Sequence, residues 1–354
     1  MWPKPLDWRI LIQNELDGIL DGLTSRSLCV PHRVFITRRI PEPGREVIRQ
    51  LSDLILSGNE EDKGLTPQAL RDAVQGQHAV LCLLTDRVDA EVLQAAKGCK
   101  VFANMAVGFN NIDVAEATRL GILVTNTPGI LTEATADLTF ALILAVARRV
   151  VEGDGEMRSG RFTGWGPFYH LGGDVTGRVL GLIGPGRIAL AVAKRAVGFD
   201  MPLLYQGRRS SPELERLGAR RVDLDELLKG SDFVSLHVPL SDETHHLIDA
   251  LALSKMKPTA YLINTSRGPV VDESALVTAL KSGVIAGAGL DVYEDEPKMK
   301  EGLADCSNAV VLPHLGSATL GTRSAMAKIA AENLVAVLEG RRPPNPVNPE
   351  VLSA

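Results

Sequence analysis

Arg267, Glu296 and His314 lie in the second half of the chain, each at the end of a short apolar run, in NTSRG, DVYEDEP and LPHLGSA. An arginine fork can grip a 2-oxo acid through two contacts and stays charged at any working pH. A histidine beside a carboxylate keeps a proton available near neutral pH for a developing alkoxide. Cation, carboxylate and imidazole together are the parts needed to hold an anionic keto acid and protonate it during hydride transfer. Singly, each has an ordinary reading as a surface turn, a loop acid or a strand-end histidine. Their joint position at the ends of successive strands, where open α/β sheets bind ligands, carries the inference.

All three follow the glycine loop VLGLIGPGRIA, in which Gly184, Gly186 and Ala189 come after an apolar strand and open the helix RIALAVAKRAV. That context makes the pattern a dinucleotide fingerprint. Gly184 permits a tight turn, Gly186 lets the backbone approach a pyrophosphate, and Ala189 lets helix and strand pack closely. The helix N-terminus supplies N–H donors, expected from Arg187 and Ile188, since Pro185 has none. An NAD-type site places an acid about 20 residues further on. Gln206 stands there instead, followed by Arg208, Arg209, Ser210 and Ser211. A neutral amide next to guanidinium groups and hydroxyls accepts a 2′-phosphate that a carboxylate would repel. NADPH is the expected cofactor, with NADH a weaker alternative.

These residues must be positioned by a fold, and the chain alternates β-branched runs with helical patterns from Arg33 onward. VFIT, AVLCLL, VFANMA and ILVTN form one series; VLGLIG, PLLYQ, FVSLHV, AYLINTS, AGAGLDV and AVVLPH form a second. The fold class is α/β, with two doubly wound parallel-sheet domains and the active site in the cleft between them. Residues 33–131 plus 318–354 are assigned to a substrate-binding domain and residues 132–317 to a Rossmann nucleotide-binding domain. A long helix from about Thr132 through Arg149, with Thr132 as N-cap, reads as the connector. A last helix from about Thr322 to Leu338 precedes RRPPNPVNPE, which cannot continue it. Residues 1–32, with the amphipathic stretch ILIQNELDGILDGL, read as an appended segment.

The 354 residues exceed the roughly 250–300 at which single cores stop growing. A net charge of -5 gives no basic excess for nucleic acid or anionic lipid. Cys29, Cys82, Cys99 and Cys306 are far apart and form no C-x-x-C pair, so buried thiols are expected and no metal site. No apolar run reaches the roughly 18 residues of a membrane span. With neither a secretory pattern nor a peroxisomal C-terminus, a cytoplasmic enzyme is expected.

NTSRGPVVDESAL, GAGLDVYEDEP and VVLPHLGSAT closely resemble the D-isomer-specific 2-hydroxyacid dehydrogenases. MRSGRFTGWGP and the terminal PPNPVNPE resemble the glyoxylate/hydroxypyruvate reductase branch, and the likeness covers about residues 33 to 350. The resemblance implies a flavodoxin-like substrate domain beside the Rossmann domain. It implies that Arg267 binds the substrate carboxylate and carbonyl oxygen, that His314 is the general acid, and that Glu296 orients it. Asp291 matches a position that contacts the nicotinamide carboxamide, and His237, Pro239 and Thr265 are expected along the cofactor groove. Backbone groups of Val107 and Gly108 in AVGFNNID match the carboxylate-binding loop, with Leu84 and Ser317 lining the same cleft. Trp165 matches a loop that reaches into the partner's active site, which implies a homodimer. His245 and His246 are expected to face solvent. The implied reaction is reduction of glyoxylate or hydroxypyruvate to glycolate or D-glycerate. D-lactate, phosphoglycerate or phosphite oxidation is the alternative within the family, although formate enzymes carry Gln where Glu296 stands. A dinucleotide-sensing corepressor-like protein is the alternative outside catalysis.

Overall fold

Short apolar runs become parallel strands because such strands are covered on both faces and can afford no polar alternation. The computed structural model describes residues 31–353. Its first sheet contains β1 (His32–Ile36), β2 (Leu54–Gly58), β3 (Ala79–Cys82), β4 (Val101–Asn104) and β5 (Leu123–Thr125), in the order β2-β1-β3-β4-β5 and parallel throughout. Between them run α1 (Glu42–Ile48), α2 (Pro67–Ala73), α3 (Ala90–Ala95) and α4 (Val114–Arg119). The second domain opens with α5 (Thr132–Ala147) and α6 (Val150–Arg158). It continues through β6 (Leu180–Ile183), α7 (Arg187–Val197), β7 (Leu203–Gln206), α8 (Pro212–Arg216), β8 (Arg220–Arg221), α9 (Leu224–Gly230) and β9 (Phe233–Leu236). It ends with α10 (Ala250–Lys255), β10 (Tyr261–Asn264), α11 (Glu273–Ser282), β11 (Gly287–Leu290) and β12 (Ala309–Val311). The strand order is β12-β11-β10-β9-β6-β7-β8, again all parallel.

Every residue of β3, β4, β6, β9 and β11 is buried. Helix starts are fixed by short acids: Asp89, Asp113, Asp223, Asp249 and Asp272 each accept a hydrogen bond from the backbone N–H three residues on. Each such cap stabilises its helix by about 1 kcal/mol.

Two helix ends differ from the sequence expectation. Thr132 is not the N-cap of α5; Leu131 holds that position without a side-chain cap. The Thr132 N–H already donates to Gly129 O at 3.2 Å, so the turn itself satisfies the helix start. The helix also stops at Ala147, because Arg149 adopts a left-handed conformation, φ 53°, and begins α6 in a new direction. As a linker α5 is firmly packed: it lies against α7 and β10–β12 and buries Ala136, Phe140, Ile143 and Val146.

After the second sheet the chain returns. α12 (Leu320–Leu338), capped by Thr319, packs on α1 and across β3, β4 and β5 of the first sheet. The crossing with α1 is close: a Cβ on Gly44 would lie 2.8 Å from Ala327 O. The segment after α12 then joins β5, where Asn348 Oδ1 accepts from Val124 N–H at 2.7 Å and its amide donates to Ile122 O at 3.0 Å. The expected amphipathic segment and Cys29 precede residue 31 and lie outside the described residues. Among those described, no helix is long and apolar enough to cross a membrane.

Candidate active site

In the second sheet the chain runs from β6 outward through β7 to β8, then crosses back to β9 and continues to β12. The crevice beyond the carboxyl ends of β6 and β9 is therefore the switch point where ligands bind. Gly184 ends β6 there with φ 93°, and a Cβ on it would lie 2.8 Å from the His237 carbonyl carbon and oxygen. Only glycine fits both demands. Gly186 faces open space, with no atom within 4 Å of where a Cβ would stand, so its backbone is accessible to a pyrophosphate. Ala189 is fully buried one turn into α7, whose first residues Arg187 and Ile188 follow directly on this opening.

Gln206 is half-buried at the end of β7, and its carbonyl accepts the Gly184 N–H at 3.0 Å. Beyond it Arg208, Arg209 and Ser210 are exposed, while Ser211 is buried with its N–H on the Tyr205 hydroxyl. Arg221 holds the turn by donating to the carbonyls of Gly207 and Arg208 at 2.9 and 3.1 Å. Arg208 reaches Glu243 at 3.3 Å on the surface. His237 ends in contact with Ser235 Oγ at 2.9 Å, and burial pushes its pKa down to about 3, so its ring stays neutral. Pro239 is exposed and its carbonyl accepts from Thr244. Thr265 ties the end of β10 to α5 through Thr139, 2.8 Å away. The positive-φ glycine and the open backbone at Gly186 fit a dinucleotide.

Glu296 and His314 lie at the neighbouring strand ends. Glu296 Oε2 bonds His314 Nδ1 at 2.9 Å, and its Oε1 accepts the Tyr293 N–H at 3.1 Å. Burial pushes the Glu296 carboxyl up, but the bond and charge of His314, the Tyr293 N–H and Arg267 outweigh it, and the carboxyl lies below its ordinary range. With Nδ1 engaged, Nε2 is the ring atom left for chemistry. His314 adopts φ 55°, an uncommon conformation for a side-chain-bearing residue. Asp291 holds it there: its carbonyl accepts the His314 N–H at 3.0 Å, and its carboxylate accepts Leu315 N–H at 2.6 Å and Gly316 N–H at 2.8 Å. Asp291 is 1% exposed, and burial raises its pKa. Ser317 stands one residue beyond this clamp.

Arg267 follows β10 on a turn that presses against the peptide leading to Glu296. A Cβ on Gly268 would lie 1.8 Å from Tyr293 C and O, so glycine is required. Desolvation lowers the Arg267 pKa, opposed by the Glu296 charge. The guanidinium crosses to the first domain, where Nε donates to Asn110 Oδ1 at 3.0 Å, while Nη1 turns back to the neighbouring Ser266 O at 2.7 Å. A Cβ on Gly108 would sit 1.7 Å from Nη2, so the guanidinium lies directly over that glycine.

Four polar side chains brace the facing loops. Asn104 donates to Gly108 O, Asn126 to Val107 O, and Asn111 to Leu83 O and Asp86 O, at 2.8–3.1 Å. Asp86 accepts the Leu83 N–H and the Thr37 hydroxyl. Within the described residues the N–H groups of Leu84, Val107 and Gly108 have no hydrogen-bond partner.

Sequence reasoning missed Asn110 and the bracing role of Asn104, Asn111 and Asn126. Asn104 and Asn126 stand at the ends of the apolar runs VFAN and ILVTN, and a polar residue in that position was a usable signal. One expectation is corrected: His246 does not simply face solvent. Its Nε2 is 2.8 Å from Glu294 Oε1 and its ring stacks on His245. A left-handed φ of 50° and a bond from its N–H to Pro269 O turn it inward. Trp165 stands apart from the triad in a segment where it is 85% exposed, beside Phe168 at 86%.

The D-isomer-specific 2-hydroxyacid dehydrogenase, NAD-binding domain, family model matches residues 140–316. A glyoxylate reductase of Thermococcus litoralis is 51% identical over 327 residues, 91% of this chain and 98% of the relative. A solved structure from Thermus thermophilus superposes with a TM-score of 0.83 at 48% identity, covering 89% of this chain and 99% of that one. An NADPH-dependent glyoxylate/hydroxypyruvate reductase of Sinorhizobium meliloti, solved with NADP and malonate, gives 0.78 at 33% identity over 89% and 96%.

Proposed function

The chain belongs to the D-isomer-specific 2-hydroxyacid dehydrogenase family, and from that premise we propose that it reduces glyoxylate or hydroxypyruvate, with NADPH as preferred donor. One observation carries the reading: His314 is bonded to Glu296 through Nδ1 and keeps Nε2 available, while Arg267 spans from the same strand ends to the Gly108 loop. The second domain holds the cofactor and the first closes on the substrate.

Bound nicotinamide supplies the hydride. The protein's own groups do the rest. The Nη2 edge of Arg267 and the unengaged N–H groups of Val107 and Gly108 form a nest for the substrate carboxylate, with Leu84 and Ser317 at its margins. His314 Nε2 protonates the carbonyl oxygen, and Glu296 both fixes the ring and stabilises the imidazolium from which that proton leaves. Asp291 keeps the His314 backbone in its strained turn. His237 does not compete as acid, because it is neutral across the working range.

Gln206, Arg208 and Arg209 support the 2′-phosphate preference, as does the NADPH dependence of the Sinorhizobium enzyme. Steady-state turnover of glyoxylate, hydroxypyruvate and pyruvate with both cofactors tests the assignment. The expected result is higher kcat/KM on the first two and with NADPH. A tenfold preference for NADH would overturn the cofactor reading, and no turnover on any 2-oxo acid would favour a dinucleotide sensor.

We also assign a homodimer. α6 buries none of its residues, and Val150, Val151, Met157, Phe162, Trp165 and Phe168 are exposed together. Scattered apolar side chains are normal on a surface, but a run of them marks an interface. Sedimentation should give a dimer, and a monomeric wild-type chain at micromolar concentration would refute this.

A further inference from the structure

We propose that the small cavity walled by Arg38, Arg39, Arg45 and Arg49 in the first domain is a binding site for a phosphate-type oxyanion. The cavity has a volume of about 150 Å³ and is floored by Ile36, Ile40 and Leu56. It lies beyond the carboxyl ends of β1 and β2, the side of an open α/β sheet where ligands are held. A whole small molecule occupies roughly 300–1,000 Å³, so this volume suits a single charged group rather than a metabolite body.

The charges around it are unbalanced. Arg45 is gripped by Glu60 through two bonds of 2.6 Å, and Arg49 pairs with Glu42. Among the described residues neither Arg38 nor Arg39 forms an ion pair within 4 Å, although the Arg39 charge acts on Glu60. The Nε atoms of Arg38 and Arg45 are both buried without an acceptor. A buried donor left unpaired is costly, and these two sit beside the cavity without facing it, so the unbalanced guanidinium charge is what an oxyanion would answer. Planar guanidinium forks match the oxygens of phosphate in pairs. Glu60, which is 63% exposed and the one carboxylate on the wall, would oppose the anion and now fills the Arg45 fork in its place. None of the cavity residues belongs to the catalytic cluster. Its nearest link is Thr37, adjacent to Arg38, whose hydroxyl bonds the Asp86 carboxylate under the Leu84 loop.

Calorimetric titration of the full chain with inorganic phosphate and, in parallel, glycerol phosphate tests the site and separates free phosphate from a phosphomonoester headgroup. One equivalent of either should bind, and binding of neither overturns the proposal. Arg38→Gln/Arg49→Gln should weaken binding by roughly tenfold or more, the scale of losing one charge-assisted contact. Glu60→Gln should tighten it, which keeps the test open if the double variant folds poorly. Binding must survive Arg267→Gln. Loss of binding in that variant, an unchanged affinity in Arg38→Gln/Arg49→Gln, or no tightening in Glu60→Gln would each refute the site.

Discussion

Replacing Gly108 by alanine isolates the position of Arg267 from its charge. The added Cβ would stand 1.7 Å from Nη2 and 2.8 Å from Cζ, whereas ordinary contact begins at 3.4 Å. The guanidinium must therefore retreat by roughly 1.7 Å, since the backbone at Gly108 is braced by Asn104. That retreat breaks the 3.0 Å bond to Asn110 and moves the fork off the substrate carboxylate. A misplacement of about 1 Å costs on the order of 10²-fold in rate, or roughly 2.7 kcal/mol of transition-state stabilisation. Folding is affected little, because the displaced atoms are the tip of a flexible side chain and Gly108 is not in the left-handed region. Steady-state kinetics on glyoxylate should show kcat/KM down by about 10², with NADPH affinity and thermal midpoint near wild type. Adding Asn110→Ala should then cost little more, because the bond it removes is already gone. A kcat/KM within threefold of wild type would refute the contact, as would full additivity of the two substitutions.

His314→Ala should lower turnover by about 10² to 10⁴, and near-normal turnover would remove it as the acid. Asp291→Asn keeps one acceptor and loses the other, freeing the Leu315–Gly316 loop, so kcat should fall at least about tenfold with NADPH affinity little changed. An effect confined to cofactor affinity would instead make Asp291 a nicotinamide contact. The Glu296 carboxyl is depressed in the folded protein, so its contribution to stability is present above the unfolded carboxyl pKa and is lost as pH falls through the lower folded value. The stability gap between wild type and Glu296→Gln, measured by urea denaturation from about pH 7 to about pH 3, should shrink toward the acid end. A gap that widens in acid would contradict the sign.

Strands buried on both faces were legible because nothing in them needs to be polar: FVSL and LGLI are buried throughout. The strands that went unread are edges. β2 leaves Ile55 47% exposed, and β8 consists of Arg220 and Arg221, both exposed, with β7 as its sheet neighbour. The glycine loop was readable because each glycine answers a local demand of the turn. Asn110 was not, since its partner is 157 residues away and depends on how two domains meet. His246 was misread for the same reason, as Glu294 lies 48 residues further on.

The return of α12 and the bonds of Asn348 to β5 bear on how the growing chain folds. Residues Val34, Leu81 and Val101 on one face of the first sheet share a core with Met326, Ala330 and Leu334 of α12. Synthesis runs at about 5–20 residues per second, so that face stays uncovered until α12 has been made. The second sheet, contiguous in sequence, can complete itself in the interval. α12 and the segment after it are therefore the clasp that finishes the first domain, and removing them would leave the apolar face of the first sheet open to aggregation.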